Sequence, residues 1–201
     1  MPDRATLCLQ RATKTVVLVG LMGAGKSSVG RRLAARLELP FLDADIEIEA
    51  AAGCTVEEFF FHFGESAFRD GERRVITRLI TEQPVHVLAT GGGAFMDTGL
   101  RDLFKAKTIT VWLRAGLDTL VARTARRATR PLLKQGDPRE ILAELIERRY
   151  PVYTEADLTI DSDDGSVEQT VDRVLAALER SGATVPLPYF NPATTGTEPP
   201  P

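Results

Sequence analysis

Eight residues constrain this chain more than any other feature. Gly20-Leu21-Met22-Gly23-Ala24-Gly25-Lys26-Ser27 satisfies the pattern G-x-x-x-x-G-K-[ST]. With 16 glycines and five lysines in 201 residues, chance would supply only about 0.004 such matches. Its flanks match as well: the β-branched, apolar segment Thr15–Val19 runs into it, and Ser27–Leu37 leaves it with Val29, Leu33 and Leu37 on one helical face. A glycine-rich turn between a buried strand and a helix aims successive backbone N–H groups, and the positive end of the helix, at one anion. The expected site holds a nucleoside triphosphate, with Gly23, Ala24, Gly25, Lys26, Ser27 and Ser28 around the phosphates. Lys26 bridges the β- and γ-phosphates, and the Ser27 hydroxyl ligates Mg²⁺.

Such a loop needs a sheet to stand on, and the rest of the chain provides one. Strand-like runs at Pro40–Leu42, Val85–Ala89, Thr108–Leu113 and Leu158–Ile160 alternate with helix-like runs at Ile46–Ala52, Thr55–Phe63, Glu65–Thr81, Gly99–Phe104, Gly116–Arg126, Pro138–Tyr150 and Ser166–Arg180. This alternation predicts an α/β fold, a five-stranded parallel sheet sandwiched by helices, whose ligands sit at the carboxyl ends of the strands. One domain over residues 14–181 accounts for the pattern. Residues 1–13 read as a frayed extension. The tail from 182 to 201 holds six of the twelve prolines and reads as irregular.

Composition narrows the class. A formal net charge of −3 argues against a nucleic-acid binder. No apolar run reaches a membrane-spanning length, and no secretory leader is apparent. Cys8 and Cys54 lack metal-ligand spacing, so a reduced, cytoplasmic protein is expected, with a monomer as the default. Of the 25 basic residues only five are lysine. Base composition accounts for the total, and the functional question is whether particular arginines clamp anions with both arms of the guanidinium.

Neither a D-x-x-G switch nor an N/T-K-x-D base reader occurs, which excludes the GTPase classes, and the length excludes a large motor. A small-molecule kinase remains, needing an acceptor site, a proton acceptor and a lid that excludes water. Asp43-Ala44-Asp45 follows the second strand. Two carboxylates at i and i+2 can serve metal and hydroxyl separately, or Asp45 can cap the helix that follows; both readings stand at this level. Thr90-Gly91-Gly92-Gly93 follows the third strand, where bare backbone lets a ligand approach closely.

Taken in order, these motifs resemble the shikimate kinase family over nearly all of residues 14–181. The resemblance rests on the phosphate loop, Phe41-Leu42-Asp43-Ala44-Asp45, Gly64-Glu65-Ser66-Ala67-Phe68-Arg69, Ala89-Thr90-Gly91-Gly92-Gly93, Arg130-Pro131-Leu132-Leu133 and Arg149-Tyr150-Pro151-Val152-Tyr153. It implies a P-loop fold like that of the nucleoside monophosphate kinases, with a substrate-binding insertion at about 44–72 and a lid at about 124–137. It further implies Mg-dependent transfer of the ATP γ-phosphate to the 3-hydroxyl of shikimate, in aromatic amino-acid biosynthesis. By the same resemblance Asp45 holds the reacting hydroxyl and accepts its proton, Asp43 supports Mg²⁺ through water, and Arg69 and Arg149 bind the carboxylate. Gly91, Gly92 and Gly93 supply substrate-facing backbone, Arg123 lies against adenine, and Arg130 reaches the phosphates when the lid closes. Arg126 and Arg127 have no implied role and are expected in solvent, and the purine edge falls near residues 161–166.

The rivals are a sugar-acid kinase such as gluconate kinase, which lacks the combined Gly-Gly-Gly and R-x-P-x-Y features, and a catalytically silent nucleotide-binding module, which the intact Lys26, Ser27, Asp43 and Asp45 oppose. His62 and His86 have no partners at ligand spacing and are expected at the surface or on a helix face. Phe59, Phe60, Phe61 and Phe63 are expected to pack the insertion, with one ring able to line the acceptor pocket. Trp112 belongs to the core.

Overall fold

Parallel strands buried on both faces read as continuous apolar runs, and the computed structural model shows where these lead. It describes residues 10–125, 136–163 and 165–186. Strand β1 is Gln10–Ala12 and β2 is Thr15–Val19. Helix α1 (Lys26–Arg36), β3 (Phe41–Asp43), α2 (Ala44–Ala52), α3 (Val56–Glu82) and β4 (Val87–Ala89) follow. A short 3₁₀ turn at Ala94–Met96 leads to α4 (Thr98–Lys107), β5 (Thr108–Arg114), α5 (Leu117–Thr124), α6 (Pro138–Tyr153), β6 (Leu158–Asp161), α7 (Val167–Arg180) and β7 (Thr184–Pro186).

The expected five-stranded sheet is present, in the order β3-β4-β2-β5-β6, with every pairing parallel. Because β2 is central and the chain goes first to one side of it and then to the other, the crevice at its carboxyl end is a topological switch point. The phosphate loop leaves β2 there. Strand β2 is wholly buried, and its Val16, Val17, Leu18 and Val19 join Leu33 of α1, Leu88 of β4 and Val111 of β5 in one core.

Element ends depart from expectation in ways that matter for the site. Helix α2 begins at Ala44, so it is Asp43 that caps it, accepting from the Asp45 N–H, while Asp45 sits in the first turn. The two insertion helices run together as α3, yet Gly64 interrupts the run at φ 77° and ψ 175°, a backbone only glycine adopts freely. Helix α6 continues to Tyr153 with Pro151 in its last turn. The ends of the chain are not wholly irregular: Gln10–Ala12 pairs antiparallel with Thr184–Pro186, and the Thr13 N–H donates to the Ala183 carbonyl. Three-residue strands of mixed composition carry no alternation to announce them.

His86 is buried, not at the surface. It sits just before β4 with Nδ1 2.7 Å from the Pro84 carbonyl and 3.4 Å from Thr15 Oγ1, because the sheet is covered on both faces at that point. His62 is exposed as expected. Phe59 and Phe60 pack on Phe68, at ring-centroid distances of 6.0 and 4.4 Å, but Phe61 and Phe63 are largely exposed. The break at Gly64 re-aims the chain between Phe61 and Phe68, which regular helical spacing would put on one face, and Phe63 keeps a ring contact to Phe59 at 5.0 Å. Trp112 is in the core, stacked edge-on against Tyr150 and Tyr153.

Candidate active site

Helix α1 differs at its start from most of its neighbours. Side-chain caps close α2 (Asp43), α3 (Thr55), α4 (Asp97), α6 (Asp137) and α7 (Ser166). Helix α1 has Gly25 at the cap position, at φ 94°, with no side-chain bond to its amides and no acidic residue in its first turn. Its partial positive charge faces the loop. Around it opens a cleft of about 470 Å³ lined by residues 23–29, Asp43, Asp45, Thr90, Gly91, Gly92, Arg123 and the 162–170 region.

Lys26 stretches across the loop, its Nζ donating to the Gly20 carbonyl at 2.7 Å and the Leu21 carbonyl at 3.0 Å. The Ser27 hydroxyl donates to Asp43 Oδ2 at 2.7 Å. One hydroxyl and one carboxylate at the mouth of the loop form a hard-oxygen pair, and among the described residues no cluster of three His, Cys, Asp or Glu side chains could cage a metal. Arg123 spans the other wall, donating to the Ser162 carbonyl at 2.6 Å and to the Gly23 carbonyl at 3.4 Å. The Ser162 hydroxyl donates to the Ala24 carbonyl at 3.1 Å, so the 161–166 segment does border the phosphate loop. Arg126, Arg127 and Arg130, with most of the expected lid, lie outside the described residues.

The remaining expected residues meet at the triple glycine, on the flank of the cleft. A Cβ placed on Gly91 would stand 2.7 Å from Glu72 Oε1 and 3.2 Å from Asp45 Oδ1. One on Gly92 would stand 3.1 Å from Arg149 Nη1, and one on Gly93 2.5 Å from Arg69 Nη1. Three consecutive residues without side chains thus let two carboxylates and two guanidiniums close on one backbone turn. Arg69 is half-buried and held on both sides, by Glu72 at 2.6 Å and Glu65 at 3.2 Å. Burial alone would pull its pKa down, but the two glutamates outweigh burial and hold it up.

Glu72 is the residue that sequence reasoning missed. It is 2% exposed, burial pushes its carboxyl up against the opposing pull of Arg69, and its Oε1 has no hydrogen-bond partner among the described residues. In the sequence it is one glutamate among several on a charged helix. Only its fall three residues after Arg69, on the same helical face, hints at a role. Tyr153 was legible only as the end of a motif. It is fully buried, and its hydroxyl donates to the Gly92 carbonyl.

The family model for shikimate kinase matches residues 22–179, which carry both the phosphate loop and the triple-glycine turn. The chain belongs to the shikimate kinase family. Shikimate kinase from Paramagnetospirillum magneticum is 58% identical over 174 residues, covering 87% of this chain and 89% of that one. Among solved structures, shikimate kinase from Acinetobacter baumannii in complex with shikimate superposes with a TM-score of 0.79 at 37% identity, covering 84% of this chain and 94% of that one. A gluconokinase from Sinorhizobium meliloti, 20% identical with a TM-score of 0.52 over 85% of this chain and 94% of its own, shares the fold alone. The fold is therefore that of the shikimate kinases, a P-loop architecture of the nucleoside-monophosphate-kinase type.

Proposed function

We propose that this member of the family transfers the γ-phosphate of ATP to the 3-hydroxyl of shikimate, giving 3-phosphoshikimate and ADP, in aromatic amino-acid biosynthesis. The observation that carries the reading is the turn Gly91–Gly93. Within three residues it meets Asp45 and Glu72 at one end and Arg149 and Arg69 at the other, beside a phosphate-binding loop. An acceptor with hydroxyls at one end and a carboxylate at the other matches that polarity.

Arg69 and Arg149 take the carboxylate, with guanidinium forks suited to two oxygens. Asp45, in the first turn of α2 and facing Gly91, orients the reacting hydroxyl and accepts its proton. Phosphoryl transfer asks mainly for alignment and neutralisation of charge, so a positioned carboxylate suffices as the base. Lys26 exchanges its loop carbonyls for phosphate oxygens, and Arg123 packs beside the adenine between the loop and the 161–166 segment. The Ser27–Asp43 pair fits Mg²⁺, directly through the hydroxyl and through water at the carboxylate. When bound, the ion neutralises charge on the phosphates. Arg130 joins them from a lid at about 124–137. The insertion at about 44–72 carries the acceptor residues Asp45 and Arg69. In this reading the enzyme is a cytoplasmic monomer. Separately, no helix among the described residues is long and apolar enough to cross a membrane.

ADP release measured with shikimate, gluconate and nucleoside monophosphates offered separately tests the reading. Turnover with shikimate alone is expected. Turnover with gluconate and not shikimate would overturn the acceptor, and tight ATP binding without turnover on any of them would make this a silent nucleotide-binding module.

A further inference from the structure

Tyr153 touches no cleft surface, yet it is tied to the acceptor side of the site. It is 0% exposed, in the last turn of α6 and four residues after Arg149, so the two side chains share one helical face. Its hydroxyl donates to the carbonyl of Gly92, 61 residues away in sequence. Arg149, one turn earlier on α6, places its Nη1 against Gly92 itself, 3.1 Å from the position of the missing Cβ. Gly92 also backs onto the start of the phosphate loop, with the Gly20 carbonyl 3.5 Å from the position of its missing Cβ. One phenol therefore ties a helix to the triple-glycine turn, on which a guanidinium of the same helix also rests.

We propose that Tyr153 is a positioning residue for acceptor binding, its hydroxyl setting the Gly92–Gly93 peptide against which the Arg149 guanidinium rests. The peptide part follows from planarity. With the Gly92 carbonyl held by Tyr153 and the bond trans, the Gly93 N–H must point the opposite way. A glycine pair would otherwise leave that peptide free to rotate. The arginine part follows from helix geometry: Arg149 stands one turn before Tyr153, so tying α6 to the Gly92 carbonyl holds the guanidinium against the same turn. Burial pushes the Tyr153 hydroxyl up to about 12, so it stays a donor throughout the working pH range. The ring that carries it packs edge-on against Trp112 at 5.8 Å and Phe95 at 6.1 Å.

This inference rests on shikimate being the acceptor, and the experiment separates the two. Tyr153→Phe keeps the ring and its packing and removes only the oxygen. With the parent chain turning over shikimate, the variant should show a shikimate KM raised roughly tenfold, the effect of one lost buried hydrogen bond, with the ATP KM within about twofold. Trp112→Phe loosens the same aromatic cluster without touching the hydroxyl; it should lower Tm and leave the shikimate KM near the parent value. Unchanged KM values in Tyr153→Phe, an equal rise in both, or the same split in Trp112→Phe would each overturn the positioning role. A parent chain inactive on shikimate would remove the functional reading, and this inference with it.

Discussion

Gly93→Ala isolates the acceptor half of the site with a single methyl group. Gly93 has φ −95° and ψ −18°, a conformation alanine adopts without strain, so the backbone has no objection to the change. The side chain does. The new Cβ would lie 2.5 Å from Nη1, 2.6 Å from Cζ and 2.7 Å from Nη2 of Arg69, and the guanidinium must retreat by about 0.9 Å to regain ordinary contact near 3.4 Å. Arginine tips usually yield at little cost. This one is held by Glu72 at 2.6 Å through the same Nη1, and by Glu65 at 3.2 Å through Nη2, and a shift of that size exceeds what either bond tolerates. Moving Arg69 off a substrate carboxylate forfeits a charge-assisted hydrogen bond of about 2 kcal/mol, or about thirtyfold in affinity. Steady-state ADP release with shikimate varied at saturating ATP should therefore show a shikimate KM raised by about that factor. ATP affinity, read by titration with a non-hydrolysable analogue, should stay at the parent value, because the phosphate loop is untouched. A shikimate KM within about twofold of the parent would refute the reasoning, since the guanidinium would then either yield freely or not contact the acceptor.

Three further outcomes are expected. Asp45→Asn should abolish turnover, by about 10² or more in kcat, while ATP still binds; near-normal kcat would remove Asp45 as the proton acceptor. Arg149→Lys, which keeps the charge and loses the fork, should weaken shikimate binding about tenfold and ATP binding hardly at all, and equal weakening of both would place Arg149 elsewhere. Burial holds the His86 imidazole below its ordinary value of 6.5, so the folded state binds fewer protons than the unfolded state just below that pH. The stability its neutral form contributes is complete above pH 6.5 and is lost as the pH falls from there through the depressed value of the folded state. A Tm profile that declines in this window in the parent and flattens in His86→Phe is the expected result, and identical profiles would assign the acid sensitivity to other groups.

The phosphate half of the site was legible because it is local. Residues 20–28 form strand exit, turn and helix start in one stretch, and their chemistry is mostly backbone, which the G-x-x-x-x-G-K-[ST] spacing reports directly. The sheet was legible for a similar reason: strands buried on both faces declare themselves as apolar runs, and the separate helical runs Thr55–Phe63 and Glu65–Thr81 meet at the Gly64 interruption of α3. What stayed hidden depends on distant parts of the chain. Glu72 is an unremarkable helical glutamate until β4 brings the triple glycine against it, and the burial of His86 follows from its place between Thr15 and Pro84. Of the two readings open for Asp45, the cap fell instead to Asp43, because the helix started two residues earlier than its apolar pattern suggested.

The acceptor half is therefore a convergence, and convergence changes what the arginines mean. A formal charge of −3 with twenty arginines says little about where positive charge acts. At the site, the described guanidiniums have named neighbours: Arg69 has Glu65 and Glu72, Arg149 lies against Gly92, and Arg123 donates to the carbonyls of Ser162 and Gly23. A free arginine would have to give up rotamer entropy on meeting an anion, whereas these have lost it on folding. Glu72 shows the cost of that arrangement. A carboxylate 2% exposed whose pKa is raised, not lowered, by its surroundings is less favourable in the fold than in water, even with Arg69 beside it. Its retention beside the triple glycine makes sense as orientation of Arg69, not as stabilisation. A neutral isostere, Glu72→Gln, should accordingly leave Tm unchanged or raised while the shikimate KM rises, and a fall in Tm of several degrees with KM unchanged would reverse that assignment.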